Sequence, residues 1–466
     1  MQVANERRRE YLSAEEDLDG LPLPPMSRGP PLIGDFFKFA TGPTQFALGL
    51  VDELGPVCRC KLFGFDCVFI SGQDNLRRVL QEEADLLEMV VSKAQRFLMG
   101  PSSLGVLDGA EHARVRRLTY PSFTLDALCT HIPDIQAAAM DFFSKWAKQP
   151  SIKFSEEVKR FTLCVISHAI IGLDVAIGED QLVKDFQSYF DGLFSFGINL
   201  GPLTKYGRAV GAKVRLVQSV NQGLEEGKRA LGGHGGGHEG PKLLEKLQTF
   251  QDPETGERLT EDEIRDHVLF LMLAGYNTTA DTLTHLLLQL GRNPEILTRL
   301  REEQAAVMAA HGPYMGPEAL EAMTYAEACV KEVLRVTPPV LFPLRKVARE
   351  FEMEGVRVPV GWTAFPLIGH ATQFEDGRWT GQQDTYNPNR FLTEDGRKPG
   401  AWMPFGLGPH TCLGRSLAIM ESKIFLATLA RHFDISIENL YPEFGLPPSN
   451  DPKDGMPVAV TRHIVK

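Results

Sequence analysis

The chain has 466 residues, of which 43% are apolar and 23% charged, a globular mixture long enough to bury a sizeable core. Its 49 basic residues face 60 acidic ones, a net charge of −11, which argues against nucleic acid as the main partner. No apolar run approaches the roughly 18 residues of a membrane span. The seven cysteines are odd in number and form no CxxC pair, which suits a reducing compartment better than a disulfide framework.

The first stretch, MQVANERRREYLSAEEDLDG, is charged and lacks the apolar centre of a signal peptide. Residues 1–28 read as a polar leader running into a Pro-rich lead-in, LPLPPMSRGPPLIGD at 21–35. Residues 29–466 read as one domain, with no linker that divides it. VCRCKLFGFDCVFISG alternates as a hairpin turning at Gly64, so Cys58 and Cys60 share a strand face. Packing explains that pair better than metal ligation. Helical period follows in DNLRRVLQEEADLL, in EHARVRRLTYPSF, and through most of 131–230. The segment LGGHGGGHEG at 231–240 reads as a flexible linker; His234 and His238 lack a scaffold to hold a metal.

The longest predicted helix covers 261–290. Thr260 caps it, acids fill its first turn, and Gly291 stops it. Asn293 and Pro294 open the next helix, Asn as cap and Pro in the first turn. A helix over 324–336 ends before Pro338. Residues 340–365 are strand-like, and a final helix begins at Cys412. Helices dominate, with a smaller β-rich part.

The segment FGLGPHTCLG, 405–414, frames one cysteine with glycines. At a helix start, Cys412 meets unpaired N–H groups and a partial positive charge, both favouring thiolate. Gly408 and Gly414 remove side chains where a flat ligand would approach, and Phe405 can shield the sulfur. The loop alone is equally compatible with a buried cysteine whose glycines serve a turn. In KEVLR, Glu332 and Arg335 lie three apart on one helix face, and PNRF adds Arg390 downstream. An acid between two arginines suggests a buried structural cluster. AGYNTTAD sets Ala274 and Gly275 beside Thr278 in mid-helix; such a threonine ordinarily bonds back to its own turn. His112 and Arg116 stand one turn apart, and Arg345 follows the glutamate helix.

The spacing Phe405, Gly408, Cys412, Gly414 resembles the haem-ligand loop of the cytochrome P450 family, and the other segments are similar to that family's motifs in the same order. The resemblance runs from the Pro-rich lead-in to PKDGMPV near the end. It implies a mainly α fold with haem b, iron protoporphyrin IX, held between the long central helix and the cysteine loop. Cys412 would be the axial iron ligand. His112, Arg116, Arg345 and His410 would meet the haem propionates, the last where the family often has arginine. Glu332, Arg335 and Arg390 would be structural, and Thr278 would help deliver protons to bound O2. Asn277 departs from the family, which usually has Asp or Glu there; it is read as an orienting group, with Asp281 too distant to substitute directly.

The implied reaction is insertion of one oxygen atom from O2 into a lipophilic substrate: an isoprenoid, retinoid, sterol or fatty acid. No flavin or dinucleotide segment is evident, so electrons from NAD(P)H are expected through a ferredoxin or flavoprotein reductase. The docking face expected for it carries Arg116, Arg117, Arg415 and Lys423. The substrate pocket is expected to involve Phe97, Leu104, Phe194, Val340, Leu341 and Phe342. The N-terminal third and LTKYGRA are similar to the retinoic-acid and sterol hydroxylating branch. A soluble or cytoplasmic monomer without a transmembrane segment is expected, peripheral membrane contact or a removed leader being compatible with it. Two alternatives compete: a haem-thiolate isomerase using lipid hydroperoxides, which Asn277 favours and Thr278 opposes, and a non-catalytic haem-binding gas sensor.

Overall fold

The computed structural model describes residues 20–27, 29–30, 33–172, 180–195, 197–232, 242–372, 385–397, 402–445 and 451–463. His234, His238 and most of the leader lie outside them. The strands are β1 Val57–Leu62, β2 Phe65–Ile70, β3 Leu87–Met89, β4 Ile152–Lys153, β5 Arg345–Val347, β6 Phe351–Met353, β7 Val356–Val358, β8 Thr363–Pro366, β9 Phe433–Ile437 and β10 Pro457–Arg462. The longer helices are α1 Gly109–Thr119, α2 Ile132–Trp146, α3 Phe154–Cys164, α4 Asp180–Leu193, α5 Lys205–Gly232, α6 Glu261–Arg292, α7 Pro294–His311, α8 Thr324–Val336 and α9 Arg415–His432. The mainly helical expectation holds. The chain forms two compact units, Met1–Val90 with Phe342–Leu367, and Val91–Leu341 with Ile368–Lys466.

The smaller unit is built on a five-stranded sheet of order β1-β2-β8-β5-β3. β1 and β2 pair as the expected hairpin, Cys60 opposite Cys67, and turn through Phe63 and Gly64 at φ 50° and 80°. Cys58 and Cys60 are fully buried in an apolar cluster with Phe69 and Phe365, whose rings stack 4.7 Å apart. Phe342 joins this cluster. Residues 340–365 form four short strands rather than long ones, because Glu354 and Gly355 turn the chain at positive φ between β6 and β7.

The larger unit packs its helices around Phe143, Trp146, Phe154, Phe161, Phe425 and Phe433. α6 passes through this core, and every residue from 279 to 290 is buried, as suits a helix apolar on nearly all sides. Its start is the expected one: the Thr260 hydroxyl accepts from Glu263 N, and Glu263 answers through the Thr260 N–H. Its end lies beyond Gly291, at Arg292. Asn293 precedes α7 without capping it; its amide donates back to Gln289 O at 2.8 Å. The final helix starts at Arg415, three residues later than expected, because 408–410 form a separate 3₁₀ turn.

Candidate functional site

The cysteine loop is shaped by its backbone. Gly406 and Gly408 adopt φ 73° and 67°, conformations that a side chain would strain. Gly406 N then donates to Met403 O at 2.9 Å, Thr411 N to Gly408 O at 3.0 Å, and Cys412 N to Phe405 O at 2.8 Å. Gly414 has an ordinary φ of −82° and is the N-cap of α9. A Cβ there would meet only the Cys412 sulfur, at 3.9 Å.

Cys412 is solvent-accessible, yet burial is the leading influence on its thiol and pushes its pKa up. The sulfur therefore sits in a recess rather than on a convex surface. The Gly414 N–H, Arg116 and Arg415 pull the other way and do not prevail. The final helix begins three residues beyond Cys412, and the Gly414 N–H acts on the sulfur in the thiolate-favouring direction while burial outweighs it.

Beside it, His112 is buried on α1, its ring 4.0 Å from that of His410. His410 Nε2 lies 3.1 Å from Asp108 Oδ1, and Asp108 caps α1, so the histidine ties the cysteine loop to that helix. Arg116 is half-buried one turn from His112. Its guanidinium makes no hydrogen bond or ion pair among the described residues, and burial lowers its pKa against the opposing influence of Cys412 and Tyr120. Arg345 lies in the smaller unit, buried on β5, and donates to Leu344 O at 2.9 Å.

Glu332 and Arg335 are fully buried. Arg335 Nε donates to Glu332 Oε2 at 2.8 Å and Arg390 Nε to Oε1 at 3.1 Å. Asn387 N also donates to Oε1, at 2.8 Å, and Arg335 reaches Thr385 O at 3.1 Å. Tyr386 OH donates to Cys329 O at 3.0 Å and Trp402 Nε1 to Lys331 O at 3.1 Å. These bonds fasten the segments before the cysteine loop to α8, and Trp402 meets Phe405 edge-on at 6.0 Å.

On α6, Ala274 and Thr278 are exposed within an otherwise buried stretch, with Phe270 partly exposed one turn before. The i, i+4 spacing makes this one open stripe. Thr278 Oγ1 donates to Ala274 O at 2.7 Å, the ordinary local bond. Gly275 serves helix packing: a Cβ there would meet Ile166 at 3.3 Å. Asn277 is buried and its Oδ1 has no hydrogen-bond partner. The loop 97–105 rests on the same helix, since Ser102 N donates to Asp266 Oδ2 at 3.1 Å and Gly105 leaves space for the Phe270 ring. Phe270 had not been anticipated, although its spacing from Ala274 carried the signal.

The pocket nominees separate. Leu104 is buried in the core, while Phe97 and Phe194 are exposed, the former beneath the Lys213 ammonium at 4.8 Å. Val340 is exposed, and Leu341 O accepts from Gly369 N at 2.9 Å. The proposed basic face also changes. Lys423 is buried against Glu327 at 3.0 Å, and Arg117 is paired with Asp252 and Glu257. Arg415, exposed over the Trp402 and Phe405 rings, and Arg116 form no ion pair with an acid among the described residues.

This donor set fits an iron porphyrin. A recessed sulfur that remains accessible suits an axial ligand, and an unpaired arginine beside a buried histidine suits the ligand's carboxylates. The class so defined is the haem-thiolate monooxygenases. The family model described as Cytochrome P450 matches residues 24–450, and the chain belongs to that family. It is 30% identical to Cytochrome P450 26B1 of Xenopus tropicalis, over 88% of this chain and 80% of that one. It is 28% identical to Abscisic acid 8'-hydroxylase 4 of Arabidopsis thaliana, over 95% and 92%. Among solved structures, a retinoic acid-bound cyanobacterial CYP120A1 superposes with a TM-score of 0.83 at 26% identity, over 95% of this chain and all of that one. The protein is a cytochrome P450 monooxygenase, a member of a family that uses haem iron and O2.

Proposed function

We propose that the protein hydroxylates an isoprenoid carboxylic acid or a close lipophilic relative, using electrons from NAD(P)H delivered by a separate ferredoxin or flavoprotein. The observation carrying this is the recessed, accessible Cys412 sulfur beside the unpaired Arg116. Two similar proteins bear the names of retinoic acid and abscisic acid, both isoprenoid carboxylic acids. Bound haem supplies reductive splitting of dioxygen, which thiolate donation favours; one atom enters the substrate and the other leaves as water.

The residues of this chain do the rest. Cys412 would hold the iron, with the Gly414 N–H bonded to its sulfur and Phe405 available to shield it from water. A bound cation would offset the burial cost of the thiolate. Arg116 and His112 would hold a propionate, and Arg345 is a further candidate for one. Thr278 offers a hydroxyl on the open stripe of α6, where Ala274 leaves room, and Phe270 and the 97–105 loop wall that stripe with apolar surface. Glu332, Arg335 and Arg390 keep the cysteine segment in place. Arg415 and Arg116 give the reductase a local positive field. A monomer in the cytoplasm is the simplest arrangement; among the described residues no helix is long and apolar enough to cross a membrane.

Haem-loaded protein, reduced under carbon monoxide, is expected to give the red-shifted Soret band of a thiolate ligand, lost in Cys412→Ala. Retinoids, abscisic acid, sterols and fatty acids added in turn should shift the ferric Soret band, most strongly with the acids. Product should form with reductase, ferredoxin and NADPH. Turnover with a lipid hydroperoxide alone would favour the isomerase reading instead.

A further inference from the structure

The open stripe of α6 extends outward past Phe270. Four residues before it is Asp266, half-buried on the same i, i+4 row, which runs obliquely over the helix surface. At a helical rise of 1.5 Å per residue this row covers about 18 Å along the axis between Asp266 and Thr278. The 97–105 loop follows its outer half. Ser102 N donates to Asp266 Oδ2 at 3.1 Å. Gly100, at φ 91°, leaves space that a Cβ would contest with the Asp266 carboxyl, and Gly105 does the same for the Phe270 ring. Tyr189 of α4 donates to Leu98 O at 2.6 Å and so holds the start of the loop.

Lys213 of α5 stands at the outer end of this row. Its ammonium donates to Phe97 O, lies 4.8 Å from the centre of the Phe97 ring, and feels the charge of Asp266. α5 is tied to α6 one residue before Asp266, where Arg265 Nε donates to Asn221 Oδ1 at 2.7 Å. Lys213 is half-buried; burial lowers its pKa, and Asp266 opposes that fall. It forms no ion pair among the described residues, and an ammonium keeps two donors beyond the one spent on Phe97 O. Neighbouring arginines are engaged: Arg96 donates to Val106 O at 3.2 Å, and Arg215 pairs with Asp185 at 2.6 Å. A partly desolvated cation with spare donors is best satisfied by an anion, through charge-assisted hydrogen bonds. Beside it the Phe97 ring is exposed and Phe270 partly so, apolar surface of the kind a lipid chain covers.

We propose that Lys213 is the residue that selects an acid: it receives the carboxylate of the lipophilic substrate at the outer end of the row, and the apolar chain runs inward over Phe97, Phe270 and Ala274 toward Thr278. The carbon presented for oxidation is then remote from the carboxylate, by up to about 18 Å, the axial length of the row. Asp266 sets the selectivity from the other side, since its charge competes with the substrate's for the same ammonium. The idea rests on the hydroxylase reading above and gives it the group that prefers an acid over its neutral relatives.

Equilibrium dialysis of the haem-loaded protein against prenyl and straight-chain fatty acids of graded length, each beside its methyl ester, reads this directly. The wild type should bind the acids more tightly than the esters. Lys213→Gln, which keeps a donor for Phe97 O, should weaken the acids about tenfold or more and leave the esters unchanged; Lys213→Arg should recover most of the loss. Asp266→Asn, which keeps an acceptor for Ser102 N, should move the acids the opposite way, to tighter binding. With reductase, ferredoxin and NADPH, the new hydroxyl should lie toward the far end of the chain. Acid and ester weakening together in Lys213→Gln, or hydroxylation next to the carboxyl, overturns the proposal. An acid preference that ignores Lys213→Gln overturns the role of Lys213 and leaves the acid-hydroxylase reading standing, whereas a wild type that prefers no acid overturns both. Absence of the thiolate Soret band would overturn the monooxygenase reading, while dialysis still judges Lys213.

Discussion

At Cys412 one backbone N–H and two guanidinium groups favour the charged sulfur, and burial opposes all three. Burial wins because removing a charge from water costs more than one hydrogen bond and two partly screened cations return. A bound cation would shift that balance back toward the thiolate. At Asn277 the conflict is of another kind. Its amide exchanges no protons, yet it is buried at the position that precedes Thr278 in the chain. Asn277→Asp restores a titratable group there, and the coupling of NADPH oxidation to product is expected to change by several-fold. Unchanged coupling, measured as product formed per NADPH, would remove position 277 from proton delivery. Cys412, Thr278 and the Glu332 pair were legible in the sequence because their spacing is rigidly tied to their chemistry. The pairing of His410 with Asp108 was not, since 302 positions separate them along the chain.

Elements set where these residues can act. α8 and the 388–392 turn are joined by one carboxylate that accepts from two arginines and a backbone N–H. Glu332→Ala leaves two buried guanidinium groups without their anion. A loss of about 3–5 kcal/mol is expected, read as a lowered denaturation midpoint with loss of haem retention. α6 makes a separate prediction. His267 and His285 are buried on it, and burial lowers both pKa values from 6.5 to about 4. The unfolded chain therefore takes up these protons first. Stability present above about pH 6.5 is lost as pH falls toward 4, by roughly 3 kcal/mol for each histidine. Denaturant midpoints at pH 7.5 and 5 should show the slope, reduced in His267→Leu and in His285→Phe. The 261–290 pattern announced this helix, and the Thr260 capping box placed its start. Its end, and the start of the final helix, differ from the pattern because local turn geometry at 293 and 408–410 overrides the sequence signals.

Across the whole molecule the net charge of −11 hides local exceptions. Arg117 and Lys423 look available in the sequence, yet folding pairs both with acids far along the chain; Arg415 and Arg116 make no ion pair among the described residues. Haem binds the folded chain and not the unfolded one, so removal is expected to lower the thermal midpoint by several degrees. Scanning calorimetry of haem-loaded and haem-depleted protein checks this, and equal midpoints would argue against a haem held by the fold. Family membership, the helical class and the Glu332–Arg335 pair could be read from residue order, because each depends on motif spacing along the chain. Which cations stay unpaired and which residues of α6 remain exposed depended on segments brought together from far apart. Burial is a property of the assembled core, and it is burial that leads the pKa shifts of Cys412, His267 and Asp281.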